Sequence, residues 1–316
     1  MLLLNKVQME ELISIKDAIT IIEDSLLAYS KKETIAPLRA HIPVGESSTS
    51  LFMPAYIPSM NSLGIKIVSV FPENVHINKD VVLGKMLLLD DKTGEIICIM
   101  DGTFLTKIRT GAVGAVGLKY LSRKNSETLA IIGAGGQAEH QILGALAMRK
   151  IKTVKIFDFN FSHCENLANK LSKLYSDVEF IPTHTSKECV ENSDIIVTVT
   201  TSKTPVFSLE DTISGCHING IGSFTKSMNE IPKSVIDKAQ YIFVDTKDAV
   251  TESGDLDGVT TAIEISDIIA NKTVINRDEN AVTFYKSTGS SIFDVSVAKY
   301  IYEQAISKNI GTKIDF

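Results

Sequence analysis

Behind Ser14, apolar residues recur at helical spacing: Ile15, Ala18, Ile19, Ile22, Leu26 and Tyr29. Asp17, three residues after Ser14, completes a capping-box pattern, so a helix is predicted over about 15–31. The period then shortens. Strands are predicted over 50–57, 63–71, 83–89 and 95–100, parted by turn residues such as Pro58, Asn61, Pro72-Glu73-Asn74 and the run from Asp90 to Gly94. Strand following strand implies an antiparallel or mixed sheet with one helix against it. From 103 to 121 the spacing is helical again, with Gly111, Ala112, Gly114, Ala115 and Gly117 leaving room for another backbone at a cost in helix propensity.

Strand and helix alternate from there on. Strands are predicted over 128–132, 153–158, 178–181, 195–200, 217–221 and 241–244. Helices are predicted over 137–149 and 162–175, near 186–192 and 232–239, and over 292–306. Apolar strands alternating with helices mean a parallel sheet covered on both faces. The fold class predicted is α/β: a doubly wound parallel sheet plus an α+β domain. The α+β domain is set at residues 1–120, completed by about 295–316, and the parallel-sheet domain at 121–294. No repeat or Pro/Gly/Ser-rich linker marks the boundary.

Composition narrows the class. The 316 residues are 44% hydrophobic and 22% charged, which is globular rather than disordered, and the net charge of −6 argues against nucleic acid or anionic lipid as a partner. The most apolar run, 81–89, is broken by Lys85, so no membrane span is expected. The N-terminus reaches Asn5, Lys6, Glu10 and Glu11 at once, without a basic start or cleavage site. Cys98, Cys164, Cys189 and Cys216 are widely spaced, which fits reduced thiols in a cytoplasm rather than disulfides. The six histidines show no ligand spacing, so no metal is expected.

The sharpest chemical signal is Gly133-Ala134-Gly135-Gly136-Gln137-Ala138, a GxGxxA fingerprint between a predicted strand and helix. Gly133 permits the tight turn, Gly135 the approach of a pyrophosphate, and Ala138 close helix–sheet packing, while the helix start offers free N–H groups. Asp158 ends the next strand where a ribose-binding carboxylate belongs, and no arginine follows it. NAD is therefore expected over NADP, with Asn160, Ser162 or a later residue as the phosphate contact if NADP is the cofactor. Thr200-Thr201-Ser202 and Gly222-Ser223 end later strands and face the same crevice. Gly289 stands before a helix start that fits either a cofactor contact or a plain N-cap. Arg39, Lys66 and Arg109 singly read as surface charges; alternation would send Lys66 to solvent.

Together these residues form a pattern. Leu51-Phe52-Met53-Pro54-Ala55, Gly64-Ile65-Lys66, Phe71-Pro72-Glu73-Asn74 and Arg109-Thr110-Gly111-Ala112 resemble the ornithine cyclodeaminase/μ-crystallin family. The glycine fingerprint, Gly222-Ser223-Phe224-Thr225, Glu252-Ser253-Gly254-Asp255 and Lys286-Ser287-Thr288-Gly289 continue the match over nearly the whole chain. The resemblance implies a Rossmann-type NAD-binding domain and an α+β domain for substrate binding and dimerisation, in a homodimer that moves hydride between a nicotinamide and the α-carbon of a small amino or imino acid. It implies that Arg39, Lys66 and Arg109 line the substrate pocket, that Lys66 is catalytic, and that Thr110 touches the cofactor.

Two departures matter. Family cyclodeaminases carry an aspartate where this chain has Phe224 and a glutamate where it has Leu51. Cyclodeamination needs proton acceptors for an amine substrate, whereas reduction of a protonated cyclic imine needs a carboxylate clamp and a hydride. The expectation is reduction of an imino acid of the Δ1-pyrroline-2-carboxylate type, or interconversion of an amino acid and its imine. The alternatives are an ornithine cyclodeaminase, with an acid such as Glu46 or Glu73 in the missing role, and a nucleotide-binding protein without turnover.

Overall fold

The computed structural model describes residues 1–77 and 79–315, and the chain divides into two compact units, 1–109 with 290–316, and 110–289. Helix Gly102–Leu121 runs through the first of these changeover points without a break, so no local signal marks it. The boundary set at 120/121 lies near the end of this helix, whereas the changeover falls at Arg109/Thr110; the return falls at Gly289/Ser290, with 295 the expected position.

The first unit carries a seven-stranded mixed sheet in the order Thr312–Lys313, Leu2–Leu4, Ile96–Asp101, Val82–Leu89, Ser62–Val70, Ser48–Ile57, Ala40–Val44. Only Leu2–Leu4 with Ile96–Asp101 is parallel. The capping box at Ser14 forms as predicted, with the Asp17 N–H donating to Ser14 Oγ at 3.2 Å and the Ser14 N–H to the Asp17 carboxylate at 2.9 Å. Helix Ile15–Ser30, however, packs on the C-terminal helix Ser291–Lys308, and that helix lies on the three strands from Ser48 to Leu89. Strand Ser62–Val70 turns Ser62, Gly64, Lys66 and Val68 inward and leaves Leu63, Ile65 and Ile67 half-buried.

The second unit holds eight parallel strands in the order Ile263–Glu264, Tyr241–Val244, Thr283–Lys286, His217–Gly220, Ile195–Thr198, Thr128–Ile132, Thr153–Phe157, Glu179–Pro182. Layers of apolar side chains cover both faces. The chain winds outward from Thr128–Ile132 to Glu179–Pro182, then returns to the other side of Thr128–Ile132 at Ile195–Thr198. That reversal is the topological switch point, where ligands of such sheets bind beyond the carboxyl ends of the strands.

The glycines of helix Gly102–Leu121 have the role their size suggested. A Cβ on Gly111 would stand 2.4 Å from the His140 carbonyl oxygen, and one on Gly144 2.7 Å from the Gly111 oxygen. Gln141 Nε2 donates to the Thr110 carbonyl at 2.8 Å and Asn219 Nδ2 to the Gly114 carbonyl at 3.0 Å, tying this helix to the nucleotide-type fold. Among the described residues no helix is long and apolar enough to cross a membrane, and the four cysteines are free and buried.

Candidate active site

In the second unit, strand Thr128–Ile132 ends at Gly133, whose φ of +101° only glycine adopts readily. A Cβ there would also meet the Val199 carbonyl oxygen at 2.9 Å, because the loops after two neighbouring strands converge at the switch point. Gly135 differs: a Cβ there would meet nothing within 4 Å, so its bareness serves no internal packing and leaves the backbone open to a ligand. Helix Ala138–Met148 starts without a side-chain cap, and Gln137 Oε1 is buried without a hydrogen-bond partner. Open backbone and an uncapped helix start, both offering N–H donors, fit a dinucleotide pyrophosphate.

Asp158 lies at the end of strand Thr153–Phe157 and reaches back to the glycine loop. Its Oδ2 accepts from the Ala134 N–H at 2.8 Å and its Oδ1 from the Asn160 N–H at 2.9 Å. A carboxylate oxygen has further lone pairs, so Asp158 keeps capacity for a ribose hydroxyl. Asn160 is spent otherwise: its Oδ1 caps helix Phe161–Ser172 through the Ser162 N–H and hydroxyl, at 3.2 and 2.7 Å.

Thr200 and Ser223 are also engaged within the protein. Glu230, fully buried, accepts from the Thr200 N–H at 2.6 Å, the Thr200 hydroxyl at 2.8 Å and the Ser223 N–H at 2.9 Å. Burial pushes the Glu230 carboxyl up, and Lys286 opposes that shift. Asp255 holds the Glu230 N–H at 2.6 Å and the Lys286 ammonium at 2.8 Å, while Ser223 Oγ meets Ser253 Oγ at 2.8 Å. The three late motifs around Gly222, Glu252 and Lys286 thus converge in one buried polar network that shapes the strand ends. A Cβ on Gly222 would stand 2.2 Å from the Thr200 carbonyl oxygen, so this glycine serves that convergence. Ser202 turns back on the Thr204 carbonyl, and Thr201 is exposed. The Gly289 N–H donates to Asp245 at 2.9 Å, and Ser290 is the N-cap residue of the following helix without a side-chain capping bond.

In the first unit, Lys66 and Arg109 meet on one carboxylate absent from the predicted set, that of Asp294. Lys66 Nζ donates to Asp294 Oδ1 at 2.8 Å, and Arg109 Nε approaches the same oxygen at 3.1 Å. Lys66 is 1%, Arg109 6% and Asp294 0% exposed, so Lys66 is not the solvent-facing charge that alternation suggested. Burial pushes the Lys66 amine down to about 7, repulsion from Arg109 and then Arg39 adds to this, and Asp294 opposes it. Arg39, half-buried, precedes the edge strand Ala40–Val44. Arg109 Nη1 is buried without a hydrogen-bond partner, so part of the guanidinium fork is unspent. Met53 faces Lys66 across the strands, and Leu51 lies buried on the same side two residues along, packed with Met53 and Val68. Glu46 and Glu73 are exposed. Asp294 had one legible sign, an acid inside the apolar run Ile292-Phe293-Asp294-Val295.

Residues 1–309 match the ornithine cyclodeaminase/mu-crystallin family. The chain belongs to that family. Among its relatives in the family is the Δ1-pyrroline-2-carboxylate reductase of Bacillus thuringiensis, 34% identical over all of both chains. The Thermococcus litoralis Δ1-pyrroline-2-carboxylate reductase, solved in complex with NADH and L-proline, superposes with a TM-score of 0.94 at 33% identity, covering 99% of this chain and 100% of that one. An archaeal alanine dehydrogenase dimer with bound NAD gives 0.90 at 31% identity, covering 100% and 99%. The Rossmann-type α/β class expected of this family member is thereby established.

Proposed function

We propose that this protein is an NAD-dependent reductase of small cyclic imino acids, of the Δ1-pyrroline-2-carboxylate to proline type, working as a cytoplasmic homodimer. The observation that carries the reading is the buried Lys66–Arg109 pair beside Leu51 and Met53, a cationic clamp on an apolar face that has lost the family's carboxylate at Leu51. The full-length similarity to reductases of this imine points the same way.

Two cations against one carboxylate leave the cluster positive, which favours an α-carboxylate. Arginine's planar fork suits that group bidentately, and the free Nη1 of Arg109 is available for it. Arg39 adds positive charge on the same unit. Lys66, with an amine near neutrality, orients the imino acid and is placed to hold or release a proton at Nζ. Leu51 and Met53 offer the ring an apolar wall.

When bound, a nicotinamide cofactor would supply the hydride. On the chain's side, Gly133, Gly135, Gly136 and the start of helix Ala138–Met148 would receive the pyrophosphate, Gln137 Oε1 could accept only from a hydroxyl or N–H of the cofactor, and Asp158 would take the ribose hydroxyls. Thr110, Thr201, Ser202, Gly222 and Gly289 line the remainder of the cofactor crevice, while Thr200 and Ser223 shape it through Glu230 rather than donating to it. The half-buried apolar face of Leu63, Ile65 and Ile67 supports the homodimer.

The test is a panel of imino and keto acids with NADH or NADPH, pyruvate plus ammonia among them, scored by loss of reduced cofactor. Rapid NADH oxidation with the five- or six-membered cyclic imine supports the proposal. Ammonia release from ornithine with no net change in NADH would replace it with cyclodeamination.

A further inference from the structure

We propose that Asp294 is a positioning residue for the reaction, holding the Lys66 ammonium and the Arg109 guanidinium in place and keeping the proton on Lys66. The inference rests on the reading of Lys66 and Arg109 as the substrate clamp.

The geometry is that of a two-cation anchor. One oxygen, Asp294 Oδ1, lies 2.8 Å from Lys66 Nζ and 3.1 Å from Arg109 Nε. Two cations this close repel each other strongly once removed from water, and a carboxylate between them offsets that cost. Asp294 stands in the first turn of helix Ser291–Lys308, where the helix dipole favours a negative charge. That helix packs directly on the strand that carries Lys66.

The groups facing Lys66 are few. The neighbouring strands present Met53 and Met86, helix Gly102–Leu121 presents Arg109, the segment before the edge strand Arg39, and the C-terminal helix Asp294. Asp294 is the only one of these that favours the charged amine. Without it, burial and two arginines act on Lys66 unopposed, and its proton leaves at lower pH. Asp294 acts through Lys66 and Arg109; no contact of its own with substrate is required.

The test follows Lys66 by NMR of 13Cε-labelled lysine, assigned through Lys66→Arg, alongside the pH dependence of kcat/KM for the imine. In the wild-type protein one lysine should titrate near neutrality. In Asp294→Asn that titration, and the basic limb of the rate profile, should move at least one pH unit lower, with kcat/KM down tenfold or more at neutral pH. The NADH Kd, from cofactor fluorescence, should change less than threefold. A Lys66 resonance titrating alike in both proteins overturns the inference.

Should Asp294→Asn fail to fold, Asp294→Glu decides. The retained charge should keep the basic limb in place while the longer arm lowers kcat/KM at least threefold. Wild-type efficiency in Asp294→Glu overturns the positioning role. A wild-type protein that reduces no imine at all refutes the functional reading instead, and the NMR titration still judges the lysine–aspartate pair.

Discussion

At the scale of single residues, the site depends on charges held where water is scarce. Arg109→Ala removes the planar donor from a buried cluster, a loss on the order of 2–5 kcal/mol in transition-state stabilisation for a desolvated charge contact. The expected result is a fall in kcat/KM of about 30-fold or more, with NADH binding unchanged by fluorescence titration; undiminished efficiency removes Arg109 from the clamp. The same substitution takes away the repulsion that lowers Lys66. Its amine should therefore titrate higher in Arg109→Ala, the opposite direction from Asp294→Asn. On the proposed reading Asp158 governs the choice of cofactor. A carboxylate accepts from a ribose 2′-hydroxyl and repels a 2′-phosphate. NADH should outperform NADPH, and Asp158→Ser should narrow the gap in KM, whereas a wild-type preference for NADPH contradicts the assignment.

Much of this was open to reading before any coordinates. Gly133 and Asp158 announce themselves because a left-handed turn demands glycine and a carboxylate at this local spacing reaches back to the Ala134 N–H; the phosphate and ribose roles proposed for Gly135 and Asp158 rest on the same fixed spacing. Lys66 does not. Alternation in a strand names two faces but not which one is covered, and the cover here is a helix more than 200 positions later, reaching Lys66 through Asp294. Glu230 escaped for a related reason: its partners Thr200, Ser223 and the strand ends are assembled by the winding of the sheet, not by sequence neighbourhood.

At the scale of elements, the glycine-rich helix Gly102–Leu121 and helix Ala138–Met148 approach so closely that side chains are excluded. Alanine at Gly111 gains up to about 1 kcal/mol in helix propensity. Its methyl, however, would sit 2.4 Å from a backbone oxygen that cannot swing away, and overpacking of that kind costs about 1–3 kcal/mol. Gly111→Ala should be destabilised in urea unfolding, and it should weaken NADH binding, because on the proposed reading helix Ala138–Met148 presents its N-terminus to the phosphates. A more stable variant would show that the spacing is slack. Short elements were the hardest to foresee. Strand Thr283–Lys286 lies inside the parallel sheet, yet four residues with no flanking alternation carry too little pattern to distinguish a strand from a loop.

For the molecule as a whole, the two units hold different chemistry: open backbone at Gly135 beside the Asp158 carboxylate in one, and a buried Lys66–Arg109–Asp294 cluster beside Leu51 and Met53 in the other. The central claim is net hydride transfer to the ring carbon of a cyclic imino acid. It is tested most directly with NADH deuterated at the transferred position and Δ1-pyrroline-2-carboxylate, weighing the proline by mass spectrometry. One deuterium should appear at the α-carbon for each NADH consumed. Unlabelled proline formed from ornithine with ammonia, and NADH left unconsumed, would contradict the account.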